Sequence, residues 1–226
     1  MKVPIKRINK REVEWLALHN CRHGHDYLTH YQCYLDERPD NSPYVEKIGH
    51  LDIEASNLNA DFGYMLSYAI KEDGGKILGR ALRPKEIKDG LFDRNLIEEM
   101  VTDIKKFHRV TVFYGGDHRF DLPFIRTRAM YHRVAFPLYR DVFCTDCWPI
   151  VRNKFKLHRN GLVNICELLG IVAKTKPMHP KLWCLAQMGD QDSLDYIWEH
   201  NVEDVISLEG VYNAIKDYVP VAKRSI

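Results

Sequence analysis

The chain has 226 residues, 45% hydrophobic and 28% charged, enough apolar content and length to bury a core without disulfide staples, which excludes a disordered or disulfide-scaffold protein. No apolar run approaches the roughly 18 residues of a membrane-spanning helix, and the start, Met1-Lys-Val-Pro-Ile-Lys-Arg7, is basic without the apolar stretch of a signal peptide. With 33 Lys and Arg against 31 Asp and Glu the formal charge is only +2, so the total singles out no partner.

Charge distribution says more than the sum. Arg152, Lys154, Lys156 and Arg159 follow one another with no acid between, whereas Glu199, Glu203, Asp204 and Glu209 do so with no Lys or Arg. A protein that needs acids for chemistry and bases for a polyanion has this pattern, and so does a solvated surface with patchy charge. The six cysteines, Cys21, Cys33, Cys144, Cys147, Cys166 and Cys184, read as reduced thiols of a cytoplasmic protein.

Residues 10–34 mix a short helical pattern with a dense His and Cys cluster, and the turn-rich stretch 36–43 separates this appendage, residues 1–43, from a main domain over 44–226. Strands are expected at 44–54, 63–70 and 76–82, the last two joined by a hairpin turn at 72–75. Asp93 is the expected N-cap of a helix on which Leu96, Ile97, Met100, Val101, Ile104 and Phe107 recur at helical spacing. A strand over 109–114 ends in Gly115-Gly116; a helix over 122–131, a strand at 141–145 and a long helix over 193–216 follow. Three hairpin-linked strands and then alternating helices and strands imply a mixed α/β sheet flanked by helices, the order of a ribonuclease H-like core.

Three acidic motifs carry the chemistry. In His50-Leu-Asp-Ile-Glu54, strand geometry puts Asp52 and Glu54 on one face and Leu51 and Ile53 on the other. Two adjacent carboxylates repel each other and lose water, so a divalent cation fits beside them, and hard oxygen donors select magnesium or manganese. Asp121 stands at an expected helix start in Phe120-Asp-Leu-Pro-Phe124, a position that by itself reads as a cap. In His200-Asn-Val-Glu-Asp204, His200 and Asp204 are four apart and share a helix face.

In this order the motifs resemble the DEDD superfamily of 3′–5′ exonucleases, and Tyr114-Gly-Gly with Phe-Asp-Leu-Pro-Phe-Ile-Arg126 and His-Asn-Val-Glu-Asp-Val205 resemble the YprB-type ribonuclease H-like proteins of bacteria and phages, over residues 47–208. The resemblance implies a ribonuclease H-like five-stranded mixed sheet. It implies that Asp52, Glu54, Asp121 and Asp204 hold two magnesium or manganese ions, and that His200 orients or deprotonates the attacking water. Members with this last-motif spacing usually carry Tyr four before the final Asp, and those that use His place it five before. Here His200 sits at the Tyr spacing, Glu199 at the His position, and Tyr196 one turn further back. The resemblance also brings the terminal nucleotide to Ala55, Ser56, Asn57 and Leu58. Leu58 is either a wedge against the last base or a core leucine. Arg126, Arg128 and the Arg152 to Arg159 patch are candidates for phosphate contact, and Asp146 for a helix cap or a supporting role at the site.

The run His19-Asn-Cys-Arg-His-Gly-His25 with His30-Tyr-Gln-Cys33 offers zinc ligands: Cys21, either His23 or His25, His30 and Cys33. The rivals are a solvent-facing His-rich loop and a site completed by Cys144 and Cys147. The leading functional expectation is a metal-dependent 3′–5′ exonuclease acting on nucleic acid, DNA ahead of RNA and single strands or 3′ ends favoured, alone or with a replication or repair partner in trans. A catalytically weak or inactive nucleic-acid-binding module on the same fold is a second class, and a zinc-stabilised adaptor a third.

Overall fold

The computed structural model describes residues 10–37, 46–116, 119–138, 141–171, 176–219 and 224–225. The first three strands, β1 (Ile48–Ala55), β2 (Met65–Glu72) and β3 (Ile77–Ala81), form an antiparallel meander in which Leu51 pairs with Ile70 and Ser67 with Ala81. On the other side of β1 lie β4 (Arg109–Val112) and β5 (Phe143–Asp146), parallel to it and to each other. The five-stranded mixed sheet is therefore as expected, and the two-residue strand β6 (Arg224–Ser225) extends its β5 edge to give the order β3-β2-β1-β4-β5-β6. The first strand begins two residues inside the described segment; residues 44 and 45 lie outside the described residues.

Short helices α1 (Lys10–Leu18) and α2 (Tyr31–Glu37) precede the sheet. After it come α3 (Pro84–Lys88) and α4 (Arg94–Ile104), then α5 (Asp121–His132), α6 (Cys147–Lys154), α7 (Leu162–Leu169), α8 (Pro180–Gln187) and the long α9 (Gln191–Ile215). On α4, Leu96, Ile97, Met100, Val101 and Ile104 are all buried, the stripe that the spacing predicts. Each such side chain contributes about 1.5–3 kcal/mol relative to exposure. They join Leu51 and Ile53 of β1, Leu122 and Ile125 of α5, and Leu194 and Ile197 of α9 in the main core. Further along α9, Leu208, Val211 and Ile215 enter a second core with α6 and α7, so one helix ties both layers together across the sheet.

Asp93 stands at the N-cap position of α4 but makes no capping bond. Its fully buried carboxylate accepts from Arg128 Nε and Nη2 at 2.8 and 2.6 Å and from the Met65 N–H at 2.8 Å, and His132 Nε2 lies 2.7 Å away. A short acid before an apolar helix reads as a cap from sequence, and a long-range cation 35 residues away outcompetes that use.

In the N-terminal part, Leu16, Cys21, Tyr27 and Tyr34 form a small core of their own. Asp36 and Glu37 close α2 where the sequence pattern reads as turn. Cys21, His23, Cys33 and Glu37 place one ligand atom each within 4.8 Å of one another. Of the donors expected from spacing, Cys21, His23 and Cys33 are in this group, whereas His25 and His30 stack on each other, ring centroids 4.0 Å apart, and stand outside it. Cys144 and Cys147 do not complete it either, being buried in the two cores of the sheet layers.

Candidate active site

The pleat of β1 buries Leu51, Ile53 and Ala55 and turns Asp52 and Glu54 to the opposite, half-buried face. Helix α9 crosses that face and carries His200, Asn201 and Asp204 inward. His200 Nε2 is 3.6 Å from Glu54 Oε1 and 3.6 Å from Asp204 Oδ2. Its other ring nitrogen, Nδ1, is 2.6 Å from the Lys176 carbonyl oxygen. A carbonyl can only accept, so Nδ1 carries the proton and Nε2 is the atom held toward the carboxylates. Asn201 Nδ2 donates to Asp52 Oδ2 at 2.6 Å, linking the remaining strand acid to the same helix.

Asp121 is the first residue of α5 and is only 4% exposed. Burial, and then the charges of Glu54, Asp146 and Asp204, push its carboxyl well above the usual carboxylate range. Gly115 makes this approach possible, because a Cβ built there would lie 1.6 Å from Asp121 Oδ2. Gly115→Ala is therefore expected to displace the Asp121 carboxylate and abolish divalent-ion binding while leaving the core packed; a calorimetric titration with manganese and a far-UV circular dichroism spectrum check the two halves.

Asp146 caps α6 by accepting the Trp148 N–H at 3.0 Å. Its carboxylate also accepts the Tyr114 and Gly116 N–H groups at 3.0 and 3.1 Å and pairs with Arg119 at 3.3 Å, which fastens the glycine turn behind Asp121. Of the three residues in the base region, His200 is turned inward and 5% exposed. Glu199 instead pairs with Lys176, and the Tyr196 hydroxyl donates to the Pro177 carbonyl at 3.0 Å. Both thus brace the 176–178 segment whose backbone holds His200.

The expected nucleotide contact at the end of β1 and beyond it is one of backbone. The Ala55 side chain is buried and its carbonyl accepts the Trp183 indole N–H at 2.7 Å. Ser56 shapes the loop by exchanging bonds with Tyr64, 2.9 Å each way, and Asn57 Oδ1 accepts the Asn59 N–H at 3.0 Å. Leu58 is 81% exposed, which removes the core alternative, and Phe62 beside it is 85% exposed. Arg128 is not a phosphate contact: its buried guanidinium is committed to Asp93 and to the Ala60 carbonyl at 3.1 Å. Arg126 is half-buried on α5, and Arg152, Lys154, Lys156 and Arg159 are exposed. Much of the acidic run is paired: Glu209 with Lys71 at 3.0 Å, and Glu203 with the Lys176 N–H at 3.2 Å.

Asn201, the Lys176 carbonyl, Trp183 and Phe62 were outside the sequence-based assignment. Asn201 had a signal, since it lies three before Asp204 and shares its helix face. A backbone carbonyl has no residue-type signature, and lone aromatics read equally as core.

A meander followed by parallel strands, with acids on the central strand and the closing helix, defines a ribonuclease H-like fold. The chain belongs to the RNase H superfamily, whose family model matches residues 50–216. Among solved structures it is similar to the family B DNA polymerase from the hyperthermophilic archaeon Pyrobaculum calidifontis, at 16% identity and a TM-score of 0.62, over 79% of this chain and 25% of the polymerase. It is also similar to Brucella melitensis NrnC bound to pGG, at 18% identity and a TM-score of 0.45, over 79% of this chain and 78% of that one. The chain thus spans about a quarter of the polymerase's length, and the likeness is one of fold. No curated protein sequence matches it. Among the described residues no helix is long and apolar enough to cross a membrane.

Proposed function

We propose that this chain is a divalent-metal-dependent nuclease that removes nucleotides from the 3′ end of nucleic acid, DNA ahead of RNA. The observation that carries this reading is the meeting of Glu54, His200 and Asp204 within 4.8 Å, with the raised, buried carboxyl of Asp121 beside them, in a member of the RNase H superfamily. The donor set fits magnesium or manganese: the acids supply hard oxygens, and the Gly115 cradle admits the Asp121 carboxylate where a side chain would exclude it. Asp52, Glu54, Asp121 and Asp204 would hold two such ions, which when bound supply Lewis acidity toward a phosphodiester and a water of lowered pKa.

The remaining work falls to the chain's own groups. The Lys176 carbonyl fixes His200 so that Nε2 faces the acids, where it orients a water and takes its proton. Asn201 holds Asp52 through its amide N–H, and Asp146 steadies the turn behind Asp121. Leu58 and Phe62, exposed on the loop that follows Glu54 and the end of β1, would offer apolar surface to a terminal base. The exposed cations from Arg152 to Arg159, with the Arg152 guanidinium 5.0 Å from the Trp148 ring, suit a phosphate backbone.

Incubation with 3′-labelled single- and double-stranded DNA and RNA in magnesium, manganese or EDTA tests the proposal. Release of labelled mononucleotide with either metal and none in EDTA is expected. Binding without release would instead support a non-hydrolysing nucleic-acid-binding module, and neither binding nor release would leave an adaptor.

A further inference from the structure

Away from the carboxylates, the N-terminal segment gathers a second and chemically different set of donors. We propose that Cys21, His23, Cys33 and Glu37 bind one structural zinc ion that holds the N-terminal segment together. Two sulfurs, an imidazole nitrogen and a carboxylate oxygen are all zinc donors and together supply the four of a tetrahedral site, with Glu37 standing where structural sites usually carry a further His or Cys, and the soft thiolates disfavour magnesium and manganese.

The distances agree with that chemistry. Zinc bonds of about 2.3 Å to sulfur and about 2.0 Å to nitrogen, at a tetrahedral angle, place the two ligand atoms roughly 3.5 Å apart. His23 Nδ1 is 3.5 Å from Cys33 Sγ and 3.9 Å from Cys21 Sγ.

Local structure prepares each donor. Cys21 and His23 lie on a tight turn in which the Gly24 N–H donates to the Cys21 carbonyl at 2.9 Å, with Gly24 at φ +84°, a conformation that glycine adopts without strain. Cys33 and Glu37 are four apart on α2 and therefore share a face. Outer partners orient the carboxylate, as is usual around metal ligands: the Tyr27 hydroxyl donates to Glu37 Oε2 at 2.8 Å, and the Arg22 N–H lies 3.3 Å from both oxygens.

The segment also has a need that the ion meets. Among the described residues its own core has Leu16, Cys21, Tyr27 and Tyr34 buried, with Trp15, Tyr31, Cys33 and Leu35 partly buried against them, a small core for a segment of this length. An ion held by Cys21 and His23 of the turn and Cys33 and Glu37 of α2 would add a direct link between the same two pieces of chain that the Arg22 and Tyr27 bonds to Glu37 already join.

The test uses the full chain purified without chelator, in the background of Asp52→Asn as well as wild type so that metal at the carboxylate site is told apart. Elemental analysis is expected to give one zinc per chain in both. Cobalt-loaded protein is expected to show thiolate-to-cobalt charge-transfer bands and the intense visible bands of a tetrahedral site. Cys33→Ser should lose the zinc, Glu37→Gln should weaken zinc binding by at least about 10-fold, and His30→Ala should keep it. Zinc-free wild-type protein with no cobalt bands, or with Cys21 and Cys33 joined as a disulfide, would overturn the proposal. So would His30→Ala losing zinc while Glu37→Gln retains it, which would move the fourth ligand off α2. The cobalt spectrum is taken on wild type, so a variant that fails to fold does not decide the outcome.

Discussion

Asp52→Asn and Asp204→Asn are each expected to lower nucleolytic turnover by at least about 10³-fold, on the order of 4 kcal/mol, with the fold retained. Asn keeps the shape of the side chain and removes the charge that would hold a divalent ion. Asp52 already faces the Asn201 amide at 2.6 Å, so an amide there can turn its oxygen to the same donor. Single-turnover rates on a labelled oligonucleotide, beside thermal melts of each variant, separate lost chemistry from lost structure. The melts carry a signed expectation for metal-free protein. Burial and neighbouring acids raise the Asp121 carboxyl. Its contribution to stability is thus complete below the unfolded-state value and is lost as pH rises through the folded-state one. Metal-free wild type should therefore weaken toward neutral pH. Asp204→Asn, which removes one of the charges acting on Asp121, should weaken less.

Asp93→Ala is expected to destabilise the chain by about 3–5 kcal/mol, because it strands a buried guanidinium rather than merely deleting one contact. Arg128, His132 and the Met65 N–H all converge on that one carboxylate. Urea unfolding with an unchanged slope and a lowered midpoint checks this. The double variant Asp93→Leu/Arg128→Met, which removes both charges, should recover part of the loss. Arg128 also donates to the Ala60 carbonyl, so the loop that carries Leu58 and Phe62 should loosen in Asp93→Ala, and substrate binding should weaken with it.

These cases show where the chain could be read from its residues. That Asp52 shares a face with Glu54, and His200 with Asp204, was legible because strand and helix periodicity alone decide it; on β1 the apolar Leu51 and Ile53 fill the other face, whereas on α9 His200 and Asp204 lie on the same inward side as Ile197, Val205 and Leu208. The five-stranded order followed from hairpin spacing and the helix-strand alternation after it. Asp93 and Arg128 were misread as cap and phosphate contact because their meeting joins positions 35 apart, and no local pattern encodes it. Trp183 escaped notice for the same reason, since its bond to the Ala55 carbonyl spans 128 positions. Glu37 stood outside the donor set expected from spacing because residues 36–43 look like a turn, whereas α2 runs through Glu37 and sets it one helical turn from Cys33. Whether Leu58 is a core leucine turned on exposure, which depends on how the loop folds back through Ser56 and Tyr64.

In the proposed reaction the acids gathered around His200 cut a phosphodiester from the 3′ end with the help of divalent ions. A time course on a 5′-labelled single-stranded oligonucleotide, resolved to single nucleotides with magnesium or manganese, tests it most directly. The expected result is a ladder that shortens one nucleotide at a time from the 3′ end, absent in EDTA and in Asp204→Asn. Internal cuts in full-length strand, shortening from the other end, or an intact oligonucleotide under every metal condition would contradict it.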